Sequence, residues 1–316
     1  MTHKDPVFGV ATLVHVYGTD RSGSTMLDLI LGNGPDAFSC GEVSAWFRPY
    51  RKHHLRIDCL CGQDPCPVWE KIKDIPERFF HAAVAKELNV KFMIDSSKDI
   101  CWLVDAQKWA SSQGLRTVNL MIWKDPVDLA YSYWKRGRQI EGARRAFVKC
   151  YGWALRLELP FLSIRYDELV RDPSGSVERL CQALGMPYFE GKSRFWEKKH
   201  HHLFGSGGIR TQAEDKDSRI EKSKAYPAEF EKQRSSIEKR LAGDRNVQRI
   251  ILALRRADVL RRDEAGIPET DFIRPRRMPL WYYRKMVIRS LRRYLPERYD
   301  DSKGRAVETI PLKHSP

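Results

Sequence analysis

Apolar residues gather along this chain in short runs, separated by longer stretches with helical periodicity. "ATLVHVY" (11–17), "KFMID" (91–95), "TVNLMIW" (117–123) and "LSIRY" (162–166) read as strands. Three of them are apolar at most positions rather than alternating, the pattern of strands covered on both faces. Helix-period segments fall at 24–31, 100–111, 127–138 and 144–158. This alternation predicts an α/β fold, a parallel β-sheet flanked by helices. Ligands in such sheets bind beyond the carboxyl ends of strands. The loops after Tyr17, Asp95 and Trp123 should therefore meet around one crevice.

Past Tyr166 the pattern turns helical. "DPSGSVERLCQALG" opens on Pro173 and Ser174 and stops at Gly185. "KKHHHLFGSGGIRTQ" has no period and reads as a loop; a charged helix is expected over about 244–262. No repeat or low-complexity linker divides the chain. The reading is one P-loop-like domain over 8–265, followed by a helical, basic C-terminal extension over 266–316. Within it, 274–298 carries nine basic residues against one acidic, Glu297. Trp281, Ile288, Leu291 and Leu295 can share a helical stripe, with Arg284, Lys285, Arg289, Arg292 and Arg293 over much of the remainder. Such a helix either lies in an anionic membrane surface or packs on the core with its arginines along the surface.

The chain has 316 residues, 42% hydrophobic and 31% charged, as in soluble globular proteins. No run of about 18 apolar residues suggests a membrane span, and Asp5 and Pro6 stand where an export signal would be apolar. A cytoplasmic protein is expected, with peripheral contact at the inner membrane surface if the basic extension docks there. The net charge of +15 asks for anionic partners. No zinc-finger, homeodomain or RNA-recognition signature accompanies it, so nucleic acid is not expected. Three of the seven cysteines crowd into "DCLCGQDPCPVW" (58–69). Cys59, Cys61 and Cys66 read as free thiols in a structured loop. The alternatives are a local disulfide, or a zinc knuckle completed by Cys40, His53 or His54. His200, His201 and His202 read as a wall beside the ligand rather than as a metal site.

Two segments carry chemistry. In "YGTDRSGSTM", Gly18 and Gly23 keep P-loop spacing and Thr25 the final hydroxyl, but Ser24 stands where the phosphate lysine belongs. Backbone amides and a helix N-terminus still make an anion hole. Arg21 adds a guanidinium, and Ser22, Ser24 and Thr25 add hydroxyls. Such a loop suits a 5′-phosphate or phosphosulfate. In "IWKDPVDLAYSYWKRGR", Lys124 precedes a helix on which Ser132 and Arg136 share one face, a second phosphate site. The rival classes are a P-loop nucleotide kinase or NTPase, against which Ser24 counts, and a non-catalytic anion- or membrane-binding module.

"RSGSTMLDLIL" followed by "KDPVDLAYSYWKR" resembles the two nucleotide signatures of the sulfotransferase superfamily, whose members use 3′-phosphoadenosine 5′-phosphosulfate (PAPS). The resemblance spans about 14–210. It implies that the loop of Arg21, Ser22, Gly23, Ser24 and Thr25 takes the 5′-phosphosulfate, and that Lys124, Ser132 and Arg136 take the 3′-phosphate. The family has arginine eight positions before the serine; this chain keeps the spacing with Lys124, which holds the charge and gives up the bidentate fork. Tyrosylprotein sulfotransferases and their relatives place a glutamate about twenty residues after the loop arginine, and a lysine some 26 before the 3′-phosphate arginine. Glu42 and Lys98 match those spacings, implying Glu42 as general base, with Lys98 and Arg21 neutralising charge on the transferring group. "IRYDELVRDP" resembles a family segment whose tyrosine, here Tyr166, contacts the nucleotide. "FGSGGIRTQ" resembles its Gly-rich basic loop, implying Arg210 at the 3′-phosphate. The "C-x-C-G…C-P-x-W" loop is similar to one in bacterial members. The implied cosubstrate is PAPS with no metal in the chemistry. The arginines, lysine and aromatics of the loop 46–62 suit a hydroxyl of a large polar or anionic acceptor, such as a saccharide or glycolipid, with a peptidyl tyrosine as the alternative.

Overall fold

In a computed structural model the protein is described over residues 10–216, 218–220 and 225–261, and beyond these at 280, 284, 298–300 and 305–307. The 274–298 helix reading therefore lies almost wholly outside the described residues, as does most of the 266–316 extension.

β1 (Thr12–Tyr17) runs into α1 (Ser24–Leu31) and then β2 (Ala37–Gly41). Short helices α2 (Ser44–Phe47), α3 (Pro67–Ile72) and α4 (Phe80–Glu87) lead to β3 (Phe92–Asp95). α5 (Ile100–Ser112), β4 (Arg116–Trp123), α6 (Pro126–Trp134), α7 (Ile140–Arg156) and β5 (Leu162–Arg165) continue the alternation. Then come α8 (Tyr166–Arg171), α9 (Pro173–Leu184), α10 (Gly207–Glu214), α11 (Ala228–Ala242) and α12 (Arg245–Arg256). β6 (Arg298–Asp300) and β7 (Arg305–Val307) form a separate antiparallel pair.

The five-stranded sheet has the order β2-β3-β1-β4-β5 and every pairing is parallel. From β1 the chain goes to β2 and β3 on one side and later to β4 and β5 on the other. The loop after Tyr17 thus opens at the switch point where parallel sheets hold ligands. Alternate residues of β4 explain its near-continuous apolar run. Leu120 and Ile122 pack with α1 and α9, while Met121 and Trp123 pack with the layer of α5, α6, α7, α11 and α12.

Helix starts follow local chemistry. The carboxylates of Asp99, Asp125, Asp172 and Asp244 accept amide hydrogens at the first turns of α5, α6, α9 and α12. Pro126 and Pro173 sit in first turns, where no amide hydrogen is missed.

Several elements differ from the sequence reading: α2, α3, α4 and α8 have no counterpart of their own in it, and β6 and β7 are strands within the extension expected to be helical. β2 was not anticipated. α10 begins at Gly207, inside the stretch read as loop. α11 has an apolar face of only Phe230, Ile237 and Leu241 among mostly charged residues. Helix ends also shift: α6 stops at Trp134 rather than 138, ahead of Gly137 at φ 65°, α7 starts at Ile140 rather than 144, and α12 stops at Arg256 rather than near 262.

Candidate active site

The loop between β1 and α1 is shaped by two glycines. A Cβ on Gly18 would lie 2.4 Å from the Ile122 carbonyl oxygen. Gly23 caps α1 at φ 101°, and its Cβ would lie 2.4 Å from Tyr166 Cδ2. Both positions admit only glycine without movement of a neighbour. Arg21 itself has φ 74°, a left-handed conformation that costs a non-glycine residue on the order of 1 kcal/mol and marks functional loops. Its Nη1 donates to Ser206 Oγ at 3.3 Å, while its buried Nε has no hydrogen-bond partner among the described residues. An unused guanidinium donor beside a helix N-terminus is what an incoming anion satisfies.

A cavity of about 920 Å³ opens over this loop. Arg21, Gly23, Ser24, Thr25, Glu42, Lys98, Lys124, Arg136 and Tyr166 all line it. Its charge is strongly positive. Arg48 is held by Glu77 and Asp105, and Arg138 by Asp20. Arg21, Lys124 and Arg136 make no ion pair among the described residues. Burial, and then repulsion from Arg21, pushes the Lys124 ammonium down to about 8; it stands 3.8 Å from the centre of the Tyr166 ring. Burial and the nearby Arg136 likewise push the Arg21 guanidinium down. Uncompensated, partly desolvated cations around one cavity are the electrostatic signature of an anion site.

Glu42 and Lys98 meet because their strands do. Gly41 pairs with Asp95, so the residues that leave β2 and β3 emerge side by side. Ser96 N donates to Gly41 O at 3.0 Å and Ser44 N to Ser97 Oγ at 3.0 Å, tying the two exits together. Across them Lys98 Nζ donates to Glu42 Oε1 in a close, half-buried ion pair. The loop that presents Lys98 hangs from Asp95, which is fully buried. Burial alone would raise that carboxyl, but hydrogen bonds from His81 Nε2 at 3.0 Å and from Ser97 N at 2.9 Å, with the nearby imidazoles, hold it down at about 2.

The other residues singled out in the sequence take different positions. Ser22 is buried beneath its loop and Ser132 is buried on α6; neither lines the cavity. Arg136 Nη1 donates to the Ser132 carbonyl oxygen at 3.3 Å. Arg210 lies on α10 and pairs with Asp58 at 2.6 Å, outside the cavity lining. The Gly-rich segment before it reaches the first loop instead: Ser206 N donates to Thr25 Oγ1 at 3.1 Å. Ser206 is thus a site residue that the sequence reading passed over, as are Arg138 and Lys149. The loop 46–62 supplies Arg48, Tyr50, Arg51, His53 and His54 to the lining.

The histidine triplet does not wall the cavity. His200 Nε2 meets the Phe195 carbonyl oxygen at 2.8 Å, and His202 Nδ1 meets Ser39 Oγ at 2.7 Å, both rings buried. The segment is extended, so neighbouring side chains face opposite ways. His201 alone turns toward Cys59 and Cys66. The cysteines are free thiols. The side chain that joins their cluster is that of His201, rather than Cys40, His53 or His54.

No family model and no curated protein matches the chain. Among solved structures, a sulfotransferase domain from the curacin biosynthetic pathway superposes with a TM-score of 0.50 at 15% identity, covering 78% of this chain and 98% of that one. A sulfotransferase domain from the Synechococcus PCC 7002 olefin synthase superposes at 0.45 and 15%, over 77% and 99%. The fold is similar to that of the curacin-pathway domain. Among the described residues, no helix is long and apolar enough to cross a membrane.

Proposed function

We propose that this protein is a PAPS-dependent sulfotransferase that sulfates a hydroxyl of a saccharide or glycolipid. The observation that carries the reading is the Glu42–Lys98 pair standing on the same cationic cavity as the Arg21 loop. PAPS supplies a sulfuryl group already activated on a phosphate leaving group. Arg21, Ser24 and Thr25 would hold its 5′ side and Lys124 with Arg136 its 3′-phosphate. The buried, unpartnered Arg21 Nε fits such a group.

Lys98 is bound to Glu42 while no anion competes for it. An incoming sulfuryl group would draw the ammonium away and leave the carboxylate for the acceptor hydroxyl. Glu42 then takes the hydroxyl proton as the acceptor oxygen bonds to sulfur. The bond from sulfur to the bridging phosphate oxygen breaks, and its electrons leave with adenosine 3′,5′-bisphosphate. Lys98 and Arg21 neutralise the charge that grows on the oxygens between. Arg48, Tyr50, Arg51 and His53 together on the cavity wall suit a polar or anionic acceptor.

Titration calorimetry with adenosine 3′,5′-bisphosphate, adenosine 5′-phosphate and ATP tests the donor assignment: the bisphosphate should bind tightest, and a preference for ATP refutes it. With radiolabelled PAPS and cell extract, Glu42→Gln should lower transfer by about 10²–10⁴-fold while bisphosphate affinity stays near that of the parent. Unchanged transfer removes Glu42 from the chemistry.

A further inference from the structure

A second cluster of reactive side chains lies apart from the cavity and plays no part in the chemistry above. Cys59, Cys61 and Cys66 come from the loop that precedes α3, and His201 from the extended segment that precedes α10. One ligand atom from each residue lies within 4.8 Å of all the others. Cys66 Sγ is 3.2 Å from His201 Nδ1, and Cys59 Sγ is 4.0 Å from it. Cys59 and Cys66 are buried, whereas Cys61 and His201 reach the surface and leave an entry path.

The donor set decides the ligand. A tetrahedral zinc ion with bonds of about 2.0–2.3 Å holds its ligand atoms roughly 3.5–3.8 Å apart, so this cluster needs only a small contraction. Three soft sulfurs with one imidazole form a closed structural set that favours zinc over magnesium or calcium. We propose that Cys59, Cys61, Cys66 and His201 bind one zinc ion that staples the cysteine loop to the segment 201–206.

The surroundings are built for such a staple. Gly62, at φ 70°, turns the chain so that Cys66 comes back toward Cys59 and Cys61. The Cys61 amide lies 3.5 Å from Cys59 Sγ, a donor suited to a thiolate. Trp69 Nε1 donates to the His201 carbonyl oxygen at 2.7 Å and fixes the backbone that carries the imidazole. The two segments already pair as strands do, with Leu60 N on His202 O at 2.9 Å and Phe204 N on Asp58 O at 3.0 Å. Leu203 also accepts from Glu42 N at 2.9 Å, and Ser206, three residues on, contacts Arg21 and Thr25. The ion would thus hold in register the segment that touches both Glu42 and the Arg21 loop.

The test uses the full chain, purified in reducing buffer with zinc supplied and then passed through gel filtration in the presence of EDTA. Elemental analysis should give one zinc per chain, released by a mercurial thiol reagent. Loading the metal-free chain with cobalt(II) should give thiolate-to-metal charge-transfer absorption and the intense visible bands of tetrahedral coordination. Cys61→Ser, at the exposed edge, should weaken zinc binding at least tenfold, and His201→Gln should change the cobalt spectrum. A folded wild-type chain that retains no zinc, a cobalt spectrum without charge transfer, or a mass showing two of the three cysteines joined as a disulfide each overturns the proposal. The cobalt spectrum of the wild type decides the matter even if a variant does not fold.

Discussion

Lys124 should make anion binding depend on pH in a range where the phosphates themselves do not titrate. Its ammonium is pushed from 10.5 to about 8, first by burial and then by Arg21, Lys135 and Arg136. The sign follows from linkage. The folded value lies below the unfolded one, so stability without ligand rises as pH climbs from about 8 toward 10.5, and at pH 7 the buried charge costs the fold about 3 kcal/mol. A bound phosphate reverses this by favouring the protonated amine. Between pH 7 and 9 phosphate is already largely dianionic, its second pKa lying at about 6. If the bound state keeps its proton, affinity should fall about tenfold over that interval, or ~1.4 kcal/mol. Titration calorimetry of adenosine 3′,5′-bisphosphate at both pH values measures it directly, and repeating it in buffers of different ionisation heat counts the proton taken up. Lys124→Arg should flatten the profile, because a guanidinium stays charged throughout, and should bind at least as well at pH 9. A wild type without this slope, or a Lys124→Arg variant that retains it, would refute the assignment of Lys124 to the anion.

Gly23→Ala should lower stability by about 2 kcal/mol or more and weaken bisphosphate binding, since the methyl would meet Tyr166 at 2.4 Å in a left-handed conformation; urea unfolding and calorimetry would show it, and an unperturbed variant would mean that the loop relaxes freely. His15 is pushed down to about 4, chiefly by burial, and its ring nitrogens make no hydrogen bond among the described residues. Because the unfolded chain takes up that proton below about 6.5, stability should fall by ~2 kcal/mol between pH 7 and 5 on this account. His15→Leu should remove that share of the urea-unfolding pH dependence, and an unchanged slope would place it elsewhere. Arg21→Ala should cost about 1–3 kcal/mol of bisphosphate binding, the range for a lost charge-assisted hydrogen bond; equal affinity would remove Arg21 from the anion site.

How much of this was legible from sequence depended on how local the determinant was. β1, α1, β3 and β4 came within a residue or so of their observed bounds, because apolar runs and capping residues act over a few positions. β2 escaped because "AFSCG" offers five residues, one of them glycine and another serine, and gains its strand character by pairing with β3. α11 escaped because three apolar contacts in fifteen residues give almost no periodic signal. In the site, the spacing of Glu42 and Lys98 could be read, but their contact depends on two strand exits being neighbours. Arg210 read as a ligand residue from the glycines before it, whereas its guanidinium is taken up by Asp58. His201 and the cysteines are separated by more than 130 positions, Cys66 lying 135 and Cys59 142 away, and no local pattern joins them.

The contact between Arg21 and Ser206 joins residues 185 positions apart. During synthesis at roughly 5–20 residues per second, about 10–40 s separate the appearance of the two. The last strand of the main sheet ends at Arg165, some 40 residues before Ser206. The sheet can therefore assemble around a finished cationic loop while the piece that closes over it is still being made. Those 41 positions (206 − 165) take about 2–8 s at the same rate, so the order of synthesis places all five parallel strands ahead of the segment that reaches Arg21 and Thr25.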